Sequence, residues 1–514
     1  MTPKMTPTGR FRLMHSRLRR RSGALFLVLL LFPAALFAQD RDLDLVVTGG
    51  RVIDPETGLD AVRDVGVVRN EIVAISREVL QNRLKQGGVL LDASGKVVSP
   101  GFIDLHVHGQ SLEANRFQAM DGVTTALELE GGVPSMARFI ESRTGNAIVH
   151  YGASASHGGL RLLGVPGVAE QVAPIFDAES TGAELVLEHA NMLRHGNYAG
   201  VEDTGAVHAA IAAEMRAGAL GIGMPHQYYP GADHTEIFHI FELAAELDVP
   251  IYCHVRDMTI AAIQEVISNA TATGASLHIV HLNSSSLHHL PVNLALIKGA
   301  RDAGVDVTTE AYPYTAASTG ISSAIFDEGW QEKLGMTYGD IQWQDTGERL
   351  TEETFNFFQE EGGTVIMHMM DPEMIELAMR TPFVMVASDG MPYAPGAHPR
   401  TAGTFSRVLG RYVRDWGVMT LNDALRRMTL MPAQRLQEVA PLMRRKGRIQ
   451  LGAIADITVF DPDTIIDTAT FEDDLTFSEG VTHVVVDGVP VVRDGALIEG
   501  VFPGKPLLSR YTSE

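Results

Sequence analysis

Two histidines, His106 and His108, close an apolar run in GFIDLHVHGQ. In an extended strand residues i and i+2 project to one face, so both imidazoles converge on one point. Such a pair is only a weak sign of metal binding. Three further residues strengthen it: His254 ends the run PIYCHV, His281 ends SLHIVHL, and Asp389 ends VMVASDG. Four histidines and an aspartate recurring at strand ends suit Zn²⁺ or a similar divalent ion, one or two of them. Any one of these residues alone reads more simply as a core histidine or a loop cap; it is their ordered recurrence that points to a metal. His278, which alternates away from His281, and the His288–His289 pair read as core or surface residues. His150, His157, His226 and His368 lie near strand ends and fit either reading.

A pair of ions needs a bridging anion, commonly a carboxylated lysine or a glutamate. Between residues 100 and 440 the lysines are Lys298, inside the helical LIKGARDAG, and Lys333, inside an apparent insertion, so a lysine bridge is disfavoured. The run GVTTALELEGG instead carries Glu128 and Glu130 on one strand face. Carboxylates in an apolar strand are costly to bury unless paired or metal-bound. Glu130, nearer the strand end, is the bridging candidate, and Glu128 is expected to support a ligand from behind. The competing reading is that both pair with arginines inside the fold.

The elements that must hold these residues follow from periodicity. From about 100 to 442, apolar runs alternate with longer amphipathic segments, as in ELAAELDVPIYCHV and then ATGASLHIVHL. This is βα grammar, with enough units to close a (β/α)₈ barrel whose C-terminal strand ends carry the site. Segment 321–362 reads as an insertion beyond a strand end, able to cover an active site or to be a surface excursion. Residues 41–99 and 443–514 share another texture, period-two runs broken by Gly and Asp-Pro, as in LVVTGGRVIDPETG and GAIADITVFDP. They predict one small composite β-sandwich domain built by both chain ends. The expected fold is therefore α/β, a metal-dependent barrel with a β satellite. The 514 residues accommodate this, at roughly 150 residues per domain.

Composition narrows the function. A single cysteine, Cys253, excludes disulfides and multi-cysteine metal clusters, and strand alternation turns it away from the point where His254 faces. Residues 1–38 hold seven basic residues and no acid, ending in RLRRR before the run ALFLVLLLFPAALFA. That is the pattern of a cleaved secretory signal, since 15 apolar residues interrupted by Pro33 fall short of the ~20 needed to span a bilayer. A periplasmic or secreted protein without a stable membrane span is expected. The remaining chain has 34 basic and 63 acidic residues, a net charge of -29, which argues against nucleic-acid binding.

With these residues assembled, the chain resembles the amidohydrolase superfamily, in particular its D-aminoacylase (N-acyl-D-amino-acid deacylase) branch. The likeness runs through SPGFIDLHVH, GVTTALELEGG, ASHGGLR, GALGIGMPHQYYPG, EAYPYTAAST and GAIADITVFDP, and most specifically through SDG followed by HPRTAGTFSRVLG. The resemblance implies metal ligation by His106, His108, His254 and His281, with Asp389 as both ligand and proton shuttle. It also implies that Arg400, Tyr312 and Ser318 grip the carboxylate of a small N-acyl amino acid substrate. Two departures stand out. Members often place a Cys ligand at the end of the second strand, where this chain has Glu130 and then Gly131, and a Lys two residues after the counterpart of His281, where this chain has Asn283. The same scaffold serves dihydroorotase-like and isoaspartyl-dipeptidase-like hydrolases, and a non-catalytic exported binding protein is the rival from another class.

Overall fold

The alternating runs at the two chain ends pair with each other. The structure, a computed structural model, describes residues 42–176, 193–473 and 475–513, so the basic and apolar opening segment lies outside the described residues. Leu43–Asp54 (β1), Leu59–Val68 (β2), Glu71–Ser76 (β3), Leu84–Asp92 (β4) and Val97–Pro100 (β5) open the chain. Seven buried strands follow: Phe102–Asp104 (β6), Val123–Val133 (β7), His150–Ser156 (β8), Ile222–Pro225 (β9), Pro250–His254 (β10), Ser276–Ile279 (β11) and Val307–Ala311 (β12). Ala317–Gly320 (β13), Ile341–Trp343 (β14) and Thr364–Met367 (β15) precede Val384–Val386 (β16). Ile457–Phe460 (β17), Val481–Val486 (β18), Val489–Arg493 (β19) and Ala496–Leu497 (β20) complete the set.

The end strands form one nine-stranded sheet in the order β20-β19-β18-β17-β5-β1-β2-β3, with β4 added on β1. The two chain ends join where β5 and β17 run antiparallel, Val98 opposite Val459. Leu45, Val67, Val98, Ile457 and Val459 bury a shared apolar core there. Its period-two pattern is that of strands with one face packed and the other partly solvated.

β6 to β12 and β16 form the eight-stranded parallel sheet, ordered β16-β12-β11-β10-β9-β8-β7-β6, and helices fill the crossovers. Its strands are short apolar runs buried on both faces, as a parallel barrel requires. The seam between first and last strand closes at the C-terminal end. There the Asp389 N–H donates to the His106 carbonyl at 2.8 Å and the His108 N–H to the Gly390 carbonyl at 2.7 Å. Asp104, buried below the seam, accepts from the backbone N–H groups of Ser388 and His106 at 3.0 and 3.2 Å. Closing the barrel thus brings Asp389 to the His106 and His108 loop.

The insertion between β12 and β16 is a small sheet of its own, β13-β15-β14, with Ile325, Phe326, Trp330, Trp343 and Phe355 inside. It is wider than the expected 321–362, because its two flanks pair, Ser318 opposite Ile366. Among the described residues, no helix is long and apolar enough to cross a membrane.

Candidate metal centre

His106 and His108 follow β6, Glu128 and Glu130 lie inside β7, His254 ends β10, His281 lies just beyond β11 and Asp389 just beyond β16. All are buried. Four ligating atoms face one point: the His106 and His108 Nε2 atoms are 3.3 Å apart, Glu130 Oε2 lies 3.0 and 3.1 Å from them, and Asp389 Oδ1 lies 3.3 Å from each. A tetrahedron with 2.0–2.1 Å bonds has edges of about 3.3 Å, and these five distances lie close to it, so the set could hold a divalent ion. Glu130 Oε1 faces a second point, 2.7 Å from His254 Nδ1 and 3.1 Å from His281 Nε2, which are themselves 3.1 Å apart. One glutamate therefore offers one oxygen to each of two ligand sets.

The partner of each second ring nitrogen fixes which nitrogen faces the centre. Nδ1–H of His106 donates to Glu310 Oε1 at 2.6 Å, and Nδ1–H of His108 to Glu128 Oε2 at 2.9 Å, so both present Nε2. His281 presents Nε2 because its Nδ1–H meets Ser285 Oγ at 3.0 Å. His254 is reversed: its Nε2–H donates to Gln227 Oε1 at 2.7 Å and Nδ1 faces the pocket. Two of the ligands sit in left-handed backbone, His281 at φ 30° and Asp389 at φ 52°. For non-glycine residues that costs on the order of 1–3 kcal/mol each, strain that is typical of functional positions.

The charges are mutually arranged. Burial pulls His106 and His108 down, yet the surrounding carboxylates outweigh it, Asp389 and Glu130 for the first and Glu128 and Asp389 for the second, and hold both well above the usual histidine range. Burial favours the neutral form of Glu130 and Asp389, but His106 holds Glu130, and Arg400 with His106 holds Asp389, well below the usual carboxylate range. Glu310, buried between His106 and His278, is pushed down to about 2 by those two rings against the opposing effect of burial.

The structure brings His106, His108, Glu130, His254, His281 and Asp389 together as the residue pattern anticipated, with Glu128 behind His108. Lys298 and Lys333 are exposed. Cys253 is buried in the main apolar core. The four open histidines fall elsewhere: His150 on Asp456, His157 on Tyr229, His226 on the Ala232 carbonyl and His368 on Gln342. His278 is no ligand, but it is more than packing: its Nε2 is 3.1 Å from Glu310 Oε2 and its Nδ1 is 2.8 Å from Thr308 Oγ1.

A cavity opens over the centre, lined by His108, Glu130, His254, His281 and Asp389 and beyond them by Tyr228, Met258, Ser318 and Ile325. The insertion thus walls the site. Ser318 lines the cavity, whereas Arg400 and Tyr312 pack beside it: Arg400 Nη1 lies 2.8 Å from Asp389 Oδ2, its Nη2–H reaches the Ser318 carbonyl at 3.3 Å, and its guanidinium carbon sits 4.7 Å from the Tyr312 ring centre. Sequence reasoning missed Glu310, Gln227 and Ser285. Glu310, in EAYPY, had a legible signal, since it is an acid in a buried barrel strand, as Glu128 and Glu130 are.

The Amidohydrolase family profile matches residues 89–492. This chain belongs to that family. Among its relatives, the amidohydrolase is 29% identical over 472 residues to an N-acyl-D-glutamate deacylase of Alcaligenes xylosoxydans xylosoxydans, covering 87% of this chain and 93% of the relative. It is 28% identical over 487 residues to a D-aminoacylase of the same organism, covering 89% and 96%. In structure it resembles the N-acyl-D-glutamate deacylase of Bordetella bronchiseptica complexed with zinc and a phosphonate inhibitor, with a TM-score of 0.74 at 26% identity over 91% of this chain and all of that one. The chain is a hydrolase of the amidohydrolase superfamily, D-aminoacylase-like, with two metal-binding clusters that share Glu130.

Proposed function

We propose that this amidohydrolase cleaves the linear amide of N-acyl-D-amino acids, releasing a carboxylic acid and a free D-amino acid. The observation that carries this reading is a group of unmatched donors beside the ligand pocket. Ser318 Oγ and Arg400 Nε, both buried, make no hydrogen bond, and Tyr312 Oη approaches Ser284 and Arg400 without a well-aligned one. Burial pushes the Tyr312 phenol well up, so it stays a donor. Buried donors without partners are costly; Ser318, which lines the cavity, offers its hydroxyl to a substrate carboxylate, and the Arg400 guanidinium packed beside it adds favourable charge. That fits an amino-acid product.

Zn²⁺ fits the donor set of imidazoles and carboxylates, and such an ion supplies an acidified water and a polarised carbonyl. Asp389, at the junction of pocket and cavity, takes the proton from the attacking water and returns it to the leaving nitrogen. Arg400 keeps Asp389 ionised and oriented for that transfer. Glu130 holds the two ligand sets in register, and the insertion limits access of bulk water. Purified, zinc-loaded protein is expected to release amino acid from N-acetyl-D-amino acids faster than from their L counterparts. Turnover of dihydroorotate or of isoaspartyl dipeptides in place of these substrates overturns the assignment. Glu130→Gln is expected to lose about half the bound metal, and a variant with wild-type metal content and rate removes Glu130 from its bridging role.

The basic and apolar opening segment also supports export with cleavage near residue 38. The mass of the mature protein tests this: a chain that begins at Met1 refutes it.

A further inference from the structure

With the seam between β6 and β16 closed, the strand order places β8 four strands from β12 in either direction, so the loops after these strands face each other across the centre. Ser318, with Arg400 packed beside it, lies on the β12 side. The β8 side is an excursion, residues 157–203, ahead of the helix Thr204–Ala217, where a loop of about 2–6 residues is usual. In its described part Leu162, Phe176 and Leu193 line the cavity, and Leu162 and Leu193 join Val165, Val168 and Val172 in a small apolar core of their own. Arg161, fully buried, ties the excursion down. Its Nε and Nη2 donate to Glu236 at 2.8 and 3.0 Å, its Nη1 to the Gly196 carbonyl at 2.9 Å and its Nη2 also to the Ala199 carbonyl at 2.8 Å. Tyr198 Oη, at the cavity wall, donates to the Asp327 carboxylate and so joins the excursion to the insertion.

We propose that the apolar wall after β8 receives the acyl group, and that the substrates are N-acyl-D-amino acids carrying a hydrocarbon chain of several carbons in place of acetyl. The inference rests on the deacylase reading above: with the carboxylate held on the β12 side and the amide at the ligand sets, the acyl group extends across the centre to the β8 side. Beyond the candidate ligands, the one charged side chain among the described residues that line the cavity is Arg194, which is exposed and has its guanidinium carbon 5.9 Å from the Tyr198 ring centre. Leucine and phenylalanine give a polar acyl group nothing to pair with, whereas each methylene laid against them leaves water. The wall is already held by its own core and by Arg161, so little ordering is spent on binding and the burial appears as affinity. Hydrolysis then consumes one water, whose oxygen enters the released fatty acid, and leaves the nitrogen on the D-amino acid as its amine.

The test uses the full zinc-loaded chain and a series of D-alanines bearing acetyl, butanoyl, hexanoyl and octanoyl groups. Matched ketone analogues, with CH₂ in place of the amide N–H, cannot be hydrolysed and read affinity alone. Both kcat/KM for the amides and affinity for the analogues are expected to rise by up to about fourfold per added methylene. Phe176→Ser and Leu193→Ser are each expected to lower the octanoyl-to-acetyl ratio at least about tenfold, a ratio that a general loss of folded protein does not move. A flat or falling dependence on acyl length, or an unchanged ratio in both variants, overturns the proposal, as does a gain found only when the amino-acid side chain is lengthened. The series on the unaltered chain decides even if a variant fails to fold. The two readings separate cleanly: cleavage of the acetyl compound with no gain from length sinks only the acyl assignment, and analogues that bind more tightly with length while no amide is cleaved sink only the deacylase.

Discussion

Besides offering Oδ1 to the first ligand set, Asp389 does two jobs that substitution can separate. Its carboxylate is the proposed proton carrier, and it is also the counterion of Arg400, whose side chain is 1% exposed and lies 2.8 Å away. In Asp389→Asn the guanidinium stays buried facing a neutral amide. Breaking a buried pair costs about 3–5 kcal/mol, and the low end applies here because the amide oxygen still accepts a hydrogen bond. Loss of a positioned acid–base group costs about 10²–10⁴ in rate, or roughly 3–5 kcal/mol of barrier at 1.36 kcal/mol per tenfold. The two penalties are of similar size but have different remedies. Adding Arg400→Met to the Asn variant removes the orphaned charge and is expected to restore most of the stability and none of the rate. Denaturant unfolding in the presence of chelator measures the first without interference from ion loss, and release of free D-amino acid measures the second. A single Asn variant as stable as wild type, or one within about tenfold of its rate, refutes the reasoning.

Two further outcomes follow from the charges. In ion-free protein His106 and His108 are held well above the usual histidine range, so an incoming ion must displace a proton from each. Metal affinity is therefore expected to rise with pH across the neutral range, by up to about a hundredfold per unit while both are protonated; a flat profile by competitive chelation contradicts this. At the N-terminal end of β8, buried Lys446 and His150 both contact Asp456, and together they hold its carboxyl well below its usual range against the opposing effect of burial. A depressed carboxyl contributes stability that is present above its unfolded pKa of about 3.9 and is lost as pH falls through its folded value. Lys446→Met is expected to destabilise the fold by about 3–5 kcal/mol at pH 7, with the gap to wild type narrowing in acid and kcat unchanged. Equal unfolding midpoints at pH 7 would falsify that assignment.

Much of this was legible in one dimension because barrel grammar is local. Apolar runs ending in His or Asp identified the strand ends, and scarce lysine directed attention to Glu130. Arg400 shows where such reading stops. The family resemblance implies a substrate grip for it, but whether it also neutralises Asp389 depends on how the loop after β16 folds back on itself. His278 shows the same limit: alternation turns it away from the candidate ligands, yet nothing local revealed that β12 would bring Glu310 against it. The insertion was visible as a break in grammar, while its role as a wall of the cavity depends on its two flanks pairing.

The sequence by itself determined the candidate ligand types, the strands that carry them and the family, because period, strand-end position and residue chemistry are properties of short segments. Only the tertiary structure decided that the ligands form two sets joined by one glutamate, with charged support behind one and neutral support behind the other. Those features depend on contacts such as the His106 ring with Glu310, 204 residues apart in the chain. Closure of the barrel brings such residues together, and no local pattern records it.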